Sequence, residues 1–179
     1  VNLPRAQKFV APRYQDLRAD ATTLLASHDG ASMVRLIAGD IAGYQGPGST
    51  YSPMVMMHAT IAPGASLELP WRTDFNSLVY VMSGVGEVGP THTSIRAGQA
   101  AVLGRGDAIT VSASERADGK GQRGMEIILL GGKPIREPSA WAGPFVMNTR
   151  AEGIAAYEDD QRGAFGRELP HTDASALAI

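Results

Sequence analysis

Short apolar runs, several of them alternating with polar residues, follow one another between Ala21 and Leu130 and are separated by Gly- and Pro-containing turns. Runs of this length and period are typical of β-strands. The predicted strands are Ala21–Ser27, Ala31–Gly39, Met54–Ile61, Ser66–Leu69, Ser77–Met82, Glu87–Val88, His92–Ile95, Ala100–Leu103, Ala108–Ser112 and Met125–Leu130. Gly43–Pro53 and Ser114–Gly124 are predicted loops. Many short strands at close spacing favour an all-β barrel or jelly roll.

One helix is predicted near the end of the chain. Thr149 and Glu152 form a capping box, in which each side chain satisfies a free backbone donor. Gly163 and Gly166 are expected to end the helix. The predicted organisation is therefore an interdomain linker or arm over residues 1–20, a barrel over 21–148, and a C-terminal helix and tail over 149–179.

Composition and charge exclude several classes of function. The 179 residues carry a net charge of −2, which provides no electrostatic footprint for nucleic acid or anionic membrane. The absence of cysteine excludes disulfides, thiol catalysis and zinc-thiolate sites, and it fits a reducing cytoplasm. No run is long enough to span a bilayer. Because the chain opens on Val1 rather than Met, we expect a processed form or part of a longer protein.

The glycine spacing between Gly64 and Gly106 resembles the two motifs of cupin barrels, G-x5-H-x-H-x3-4-E-x6-G and G-x5-P-x-G-x2-H-x3-N. The first motif runs from Gly64 to Gly84, and the second begins at Gly98. The His positions of the first motif hold Pro70 and Arg72, and the His position of the second holds Ile109. The Glu position falls on Asn76 or on Ser77. These residues cannot supply the nitrogen and carboxylate ligands of a transition metal, so the sequence predicts a cupin-type fold, a double-stranded β-helix, without metal.

Three further segments carry a closer resemblance. They are Val1–Leu3 with Arg13–Gln15, Ala101–Gly104 with Gly106–Asp107, and Gly131–Pro138 leading into Gly143–Thr149. Together they resemble the second half of pirins, a family of two-barrel cupins (bicupins), over nearly the whole chain. Gly143–Thr149 is the most specific of these segments.

The pirin resemblance implies that an N-terminal barrel, absent from this chain, would hold iron or another divalent metal through three His and one Glu. It also implies a quercetin-dioxygenase-like activity of that barrel, and transcriptional or metabolic co-regulation through partner proteins. The expected role of this chain is structural and regulatory: a metal-free domain that packs on the N-terminal barrel, or on a second copy as a homodimer, and offers surface to protein partners. The alternative is that it is the supporting half of a metal-dependent quercetin 2,3-dioxygenase-like enzyme. We expect no catalytic residue and no cofactor within the chain.

Arg72, Asn76 and Tyr80 are the residues that we expect to line a small-molecule pocket, because they fall where a cupin lines its pocket mouth. Arg72 could hold a carboxylate or phosphate in bidentate fashion, or it could extend into solvent beside a filled pocket. No other group forms a convincing site. His28, His58, His92 and His171 are scattered, and the acidic run Glu158–Asp160 is expected to be a solvated helix face. Gly84–Gly89 matches GxGxxG, but Pro90 and a predicted strand follow it where a nucleotide site needs a helix.

Overall fold

The computed structural model describes residues 2–116, 121 and 123–165. Its strands are β1 (Thr23–Ala26), β2 (Ser32–Ala38), β3 (Asp40–Ile41), β4 (Tyr44–Gln45), β5 (Met54–Ile61), β6 (Ser66–Pro70), β7 (Asn76–Val88), β8 (Thr93–Arg96), β9 (Ala100–Leu103), β10 (Ala108–Ala113), β11 (Met125–Gly132), β12 (Ala140–Ala142) and β13 (Phe145–Met147). A helix, α1 (Arg150–Gln161), follows them.

Nine strands of the described chain form one curled antiparallel sheet, in the order β1-β2-β5-β11-β7-β10-β6, with β8 and β9 also pairing with β7. The long strand β7 joins the two parts of this sheet. Its first half pairs with β11 and β9, and its second half pairs with β10 and β8. Two short hairpins, β3–β4 and β12–β13, lie outside this sheet.

The core is formed by one face of the curled sheet. Alternation along β5 buries Val55, Met57, Ala59 and Ile61, whereas the residues between them are only partly buried or exposed. The same alternation in β7 and β11 supplies further buried side chains. The largest fully buried side chains are Leu36, Met57, Ile61, Val79, Val81, Val111, Met125, Ile127 and Leu129.

The chain forms two compact units, and the curled sheet belongs to the one that spans Val10–Ile135. Within this unit the arm before β1 is bonded to the loop before β5. Arg13 Nη2 and Gln15 Nε2 donate to the carbonyl of Ser49 over 2.9 and 2.8 Å, and Tyr51 Oη donates to the carbonyl of Ala11. The Arg13 guanidinium also lies 4.4 Å from the centre of the Tyr51 ring. These contacts order the arm along the surface of its own unit.

The second unit combines the residues up to Phe9 with those from Arg136 onward. Here α1 packs on the β12–β13 hairpin, and Gly153 and Ala156 are its buried residues. The predicted capping box is present, because Thr149 Oγ1 accepts from the Glu152 N–H and Glu152 Oε2 accepts from the Thr149 N–H. Glu152 also binds Arg5, with 2.6 Å between Oε1 and Nη2. A hydrogen bond from the Arg5 backbone N–H to Glu137 lowers the pKa of that carboxyl group.

The prediction of an all-β fold with a single α-helix is confirmed for the described residues. Strands β5 and β9 have the predicted bounds. The segments predicted as Ser77–Met82 and Glu87–Val88 form one strand, because a bulge opposite the Glu126–Ile127 step lets the strand continue through Gly84. The β12–β13 hairpin was not predicted, and β4 lies inside a predicted loop. Gly166 and the predicted tail lie outside the described residues.

Gly131 allows the Trp71 ring to enter the core, so we expect Gly131→Ala to destabilise the fold. A Cβ at this position would lie 2.2 Å from Trp71 Cζ2, whereas a Cβ at the neighbouring Gly132 would meet nothing closer than 3.6 Å. Overpacking of this kind costs about 1–3 kcal/mol of unfolding free energy. Urea denaturation of both variants tests this expectation, with Gly132→Ala as the matched control. Equal unfolding free energies for the two variants would contradict it.

Candidate functional site

A pocket of about 180 Å³ opens at the end of β6, between the β3–β4 hairpin, the start of β5 and the turn that leads into β7. Backbone hydrogen bonds fix this turn: the Trp71 N–H donates to the Asp107 carbonyl over 2.6 Å, and the Phe75 N–H donates to the Arg72 carbonyl over 3.1 Å. The lining residues are Asp40, Ile41, Ala42, Val55, Pro70, Trp71, Arg72 and Phe75. The pocket therefore has mainly apolar walls, with one acidic and one basic residue.

Arg72 lines this pocket, but its guanidinium already has a carboxylate partner. Its Nε and Nη2 lie 3.1 and 3.2 Å from the two carboxylate oxygens of Asp74, in a bidentate pair. The guanidinium also lies 4.3 Å from the centre of the Phe75 ring. The hydrogen bond with Asp74 raises the pKa of Arg72 and lowers that of Asp74. An anionic ligand would have to displace Asp74 to bind Arg72 in the same way.

The positions that correspond to cupin ligands are not brought together as a ligand set. Ile109 is 3% exposed and pairs with Leu69 in the core, whereas Pro70 is exposed. Of the two residues at the Glu position, Ser77 faces the core and Asn76 faces outward. No group of three His, Asp or Glu residues suitable for a metal ion occurs among the residues that the structure describes.

The three residues expected at the pocket mouth lie in two different places. Arg72 is at the pocket, but Asn76 and Tyr80 lie on the outer side of β7, opposite to Ser77 and Val79. They are separated from the core face because successive side chains of a strand point to opposite sides. Tyr80 is 41% exposed. The sequence-based grouping of these three residues therefore does not correspond to one site.

Tyr80 belongs instead to an apolar surface that we call the outer sheet face, formed by the outward side chains of β5, β11, β7 and β9. Strand pairing places Met56, Leu130, Leu78 and Val102 in one row across these strands. His58, Ile128, Tyr80 and Ala100 form the adjacent row. Val102 is 79% exposed and Met82, on the same side of β7, is 49% exposed. Contiguous apolar surface of this kind is typical of interaction sites.

The other residues considered as candidate sites either have structural roles or lie outside the described residues. His58 is part of the outer sheet face, and the Nδ1 of His92 lies 3.0 Å from Glu87 Oε2. His171 lies outside the described residues. A Cβ at Gly84 or Gly86 of the GxGxxG sequence would lie 2.0 Å from a backbone carbonyl oxygen of a neighbouring strand or turn, which explains why small residues occupy these positions. No helix in the described part of the chain is long and apolar enough to cross a membrane.

Sequence reasoning named Pro70 and Arg72 but missed the other six pocket residues, among them Asp40, Trp71 and Phe75. Trp71 and Phe75 flank residues that the motif did assign, but neither is itself a motif position. Asp40 comes from the β3–β4 hairpin, in which Ala42 and Gly43 have positive φ. In the sequence, Gly43 indicated a turn in this segment, but it did not indicate which residues the turn would contact.

The curled antiparallel sheet and the pocket at its end define a cupin-type domain. The family model for the pirin C-terminal cupin domain matches residues 56–166. A pirin-like protein of Solanum lycopersicum is 34% identical over 169 residues, which cover 94% of this chain and 55% of the relative. A putative quercetin 2,3-dioxygenase of Pseudomonas aeruginosa is 33% identical and is covered to 55%. The structure of a quercetin 2,3-dioxygenase from Acinetobacter baumannii matches 93% of this chain and 55% of its own, with a TM-score of 0.81 and 31% identity.

The chain belongs to the pirin family, and its sequence matches the C-terminal cupin domain of that family. The family predicted from the three sequence segments is therefore confirmed. The chain spans only a little more than half the length of these relatives.

The Arg72–Asp74 pair has a measurable consequence. We expect Arg72→Ala to raise the pKa of Asp74 towards the ordinary carboxyl value, because the hydrogen bond from Arg72 is the main cause of the lowered pKa. The interaction contributes above the ordinary carboxyl pKa and is lost as the pH falls through the lowered pKa of the folded protein. A carboxyl-carbon NMR titration of the wild type, Arg72→Ala and the control Arg96→Ala tests this. An unchanged Asp74 titration in Arg72→Ala would exclude the pair.

Proposed function

We propose that this chain is a metal-free cupin domain with a structural and regulatory role, and that it acts by binding protein partners through the outer sheet face. The observation that carries the proposal is the pair of adjacent apolar rows that crosses β5, β11, β7 and β9. Four of the seven methionines, Met33, Met54, Met56 and Met82, lie on the outward side of the sheet. Methionine is common at binding surfaces because its flexible thioether adapts to different partners.

The partner that we propose first is an N-terminal cupin barrel. A little under half of each pirin relative has no counterpart in this chain, which is enough sequence for a second domain. Burying the outer sheet face against that barrel would remove its apolar surface from water. In this proposal the metal, iron or another divalent ion, belongs to the N-terminal barrel. Further regulatory protein partners would bind the assembled protein.

The interior of the barrel supports the metal-free part of the proposal. Ile109 occupies a position where the cupin motif has a histidine, and its cross-strand partner Leu69 is buried beside it. Neither side chain has a donor atom for a metal ion. We therefore expect less than about one-tenth of an equivalent of iron, copper or manganese in the purified chain, as measured by elemental analysis after exposure to each ion. A stoichiometric amount of any of these metals would refute the metal-free assignment.

The docking part of the proposal predicts that the isolated chain associates with itself. In the absence of another partner, apolar outer faces should pair, and Val102→Glu should weaken the pairing by placing a charge within the row. Sedimentation velocity over a range of concentrations measures the effect. Ser94→Glu in β8 is the matched control, because it adds the same charge at an exposed position away from the face. A wild-type chain that stays monomeric at high concentration would count against the docking role.

A second candidate function is support of an oxidoreductase. The relatives from Pseudomonas aeruginosa and Acinetobacter baumannii carry the name quercetin 2,3-dioxygenase. In this alternative the chain stabilises a metal-dependent barrel that reacts with a flavonol. Oxygen uptake with quercetin separates the possibilities: we expect none from this chain alone and turnover from the chain paired with a metal-binding N-terminal barrel. Turnover by this chain alone would locate a catalytic site within it.

A further inference from the structure

We propose that the pocket at the end of β6 binds a single-ring aromatic molecule with an uncharged hydroxyl group. Its volume of about 180 Å³ is close to that of an apolar protein cavity of about 150 Å³ that holds benzene. The pocket, which is open to solvent on one side, therefore has room for one ring. This site is separate from the outer sheet face and does not depend on the docking role.

The walls of the pocket suit an aromatic ring. Ile41, Val55 and Phe75 are 5%, 3% and 6% exposed, so they are anchored in the core of the unit. Trp71 is packed against the same core, where its ring lies over the Cα of Gly131. A ligand ring against the Trp71 indole would gain aromatic contacts beyond its apolar burial, whereas one face of the Phe75 ring is already covered by the Arg72 guanidinium. Since the walls are already fixed, little conformational entropy is lost on binding.

The charges around the pocket disfavour an anion. The side chain of Asp40 is exposed and acts electrostatically on Arg72, but no side-chain hydrogen bond to it occurs within the described part of the chain, so its carboxylate is available to a donor. Arg72, the basic residue of the lining, is held by Asp74. Lys133 lies within electrostatic reach of Asp74 rather than in the lining. A ligand carboxylate would therefore face Asp40 and compete with Asp74, whereas a hydroxyl group can donate to Asp40.

Trp71 contributes its ring to the pocket wall, but its polar group is not exposed there. The Nε1 is buried and finds no hydrogen-bond acceptor among the described residues. Asp40 is therefore the acceptor in the lining that a ligand hydroxyl can meet. A hydroxyl group suits this pocket better than a carboxylate, which Asp40 would repel, or a plain hydrocarbon, which would leave Asp40 without a donor.

Three probes of similar size separate these contributions: benzyl alcohol, toluene and benzoate. The chain has two tryptophans, so a ¹⁵N–¹H spectrum contains two indole signals. Trp71 reports on the pocket, and Trp141, which is 75% exposed and belongs to the other unit, is the internal control. We expect benzyl alcohol to shift the Trp71 signal saturably, toluene to bind more weakly, and benzoate to bind at least about tenfold more weakly than benzyl alcohol.

Two variants test the assigned polar groups. Asp74→Asn should release Arg72 and strengthen benzoate binding, whereas Asp16→Asn, which changes the net charge equally at an exposed position in the arm, should not. Asp40→Asn should weaken benzyl alcohol binding and leave toluene binding unchanged.

The proposal is overturned if benzoate or toluene binds the wild type as tightly as benzyl alcohol does. It is also overturned if none of the probes gives a saturable shift of the Trp71 signal, or if the Trp141 signal shifts to the same extent. Failure of this proposal would leave the metal content and the self-association of the chain unaffected, so it can be distinguished from failure of the proposed function.

Discussion

The alternation of side chains along β5, β7 and β11 is the constraint on which the structure depends. These three central strands carry apolar residues at both their inward and their outward positions. The inward set fills the core, and the outward set forms the outer sheet face. A shift of one residue in the pairing register would exchange the two sets. The sheet therefore has a buried apolar face and an apolar face directed outward, and the proposed docking role follows from the second.

The same alternation determines which residues at the positions of the cupin ligands face the core. The motif spacing left the Glu position open between Asn76 and Ser77, and only the strand register separates them. Ser77 faces the core and Asn76 does not. Along β6 the residues directed to the core are Leu67 and Leu69, while Pro70 is exposed. The cupin glycine spacing is thus retained around a strand whose inward positions, Leu67 and Leu69, are apolar and buried in the core.

Much of the fold could be predicted from the sequence because period and turn chemistry are local properties. The bounds of β5 follow from its alternation and from the Pro63–Gly64 turn, and the capping box of α1 follows from Thr149 and Glu152. The β12–β13 hairpin was missed because each strand has only three residues, which is too short to show a period. The site was less predictable. Phe75 and Asp40 are far apart in sequence and line the same pocket because β3 lies beside β5.

The contact between Trp71 and Gly131 connects the barrel interior with the pocket. Trp71 enters the core where a side chain on β11 would otherwise lie, and the backbone of Gly131 is open enough to receive it. The ring thereby occupies interior space at the same end of the sheet as Pro70 and Ile109, two positions where the cupin motif has histidine, and it forms one wall of the pocket. A metal ion in this region would need polar ligands and space, whereas the indole supplies an apolar surface and one N–H donor. The Trp71 side chain therefore keeps this end of the sheet packed, and the pocket lies beside it.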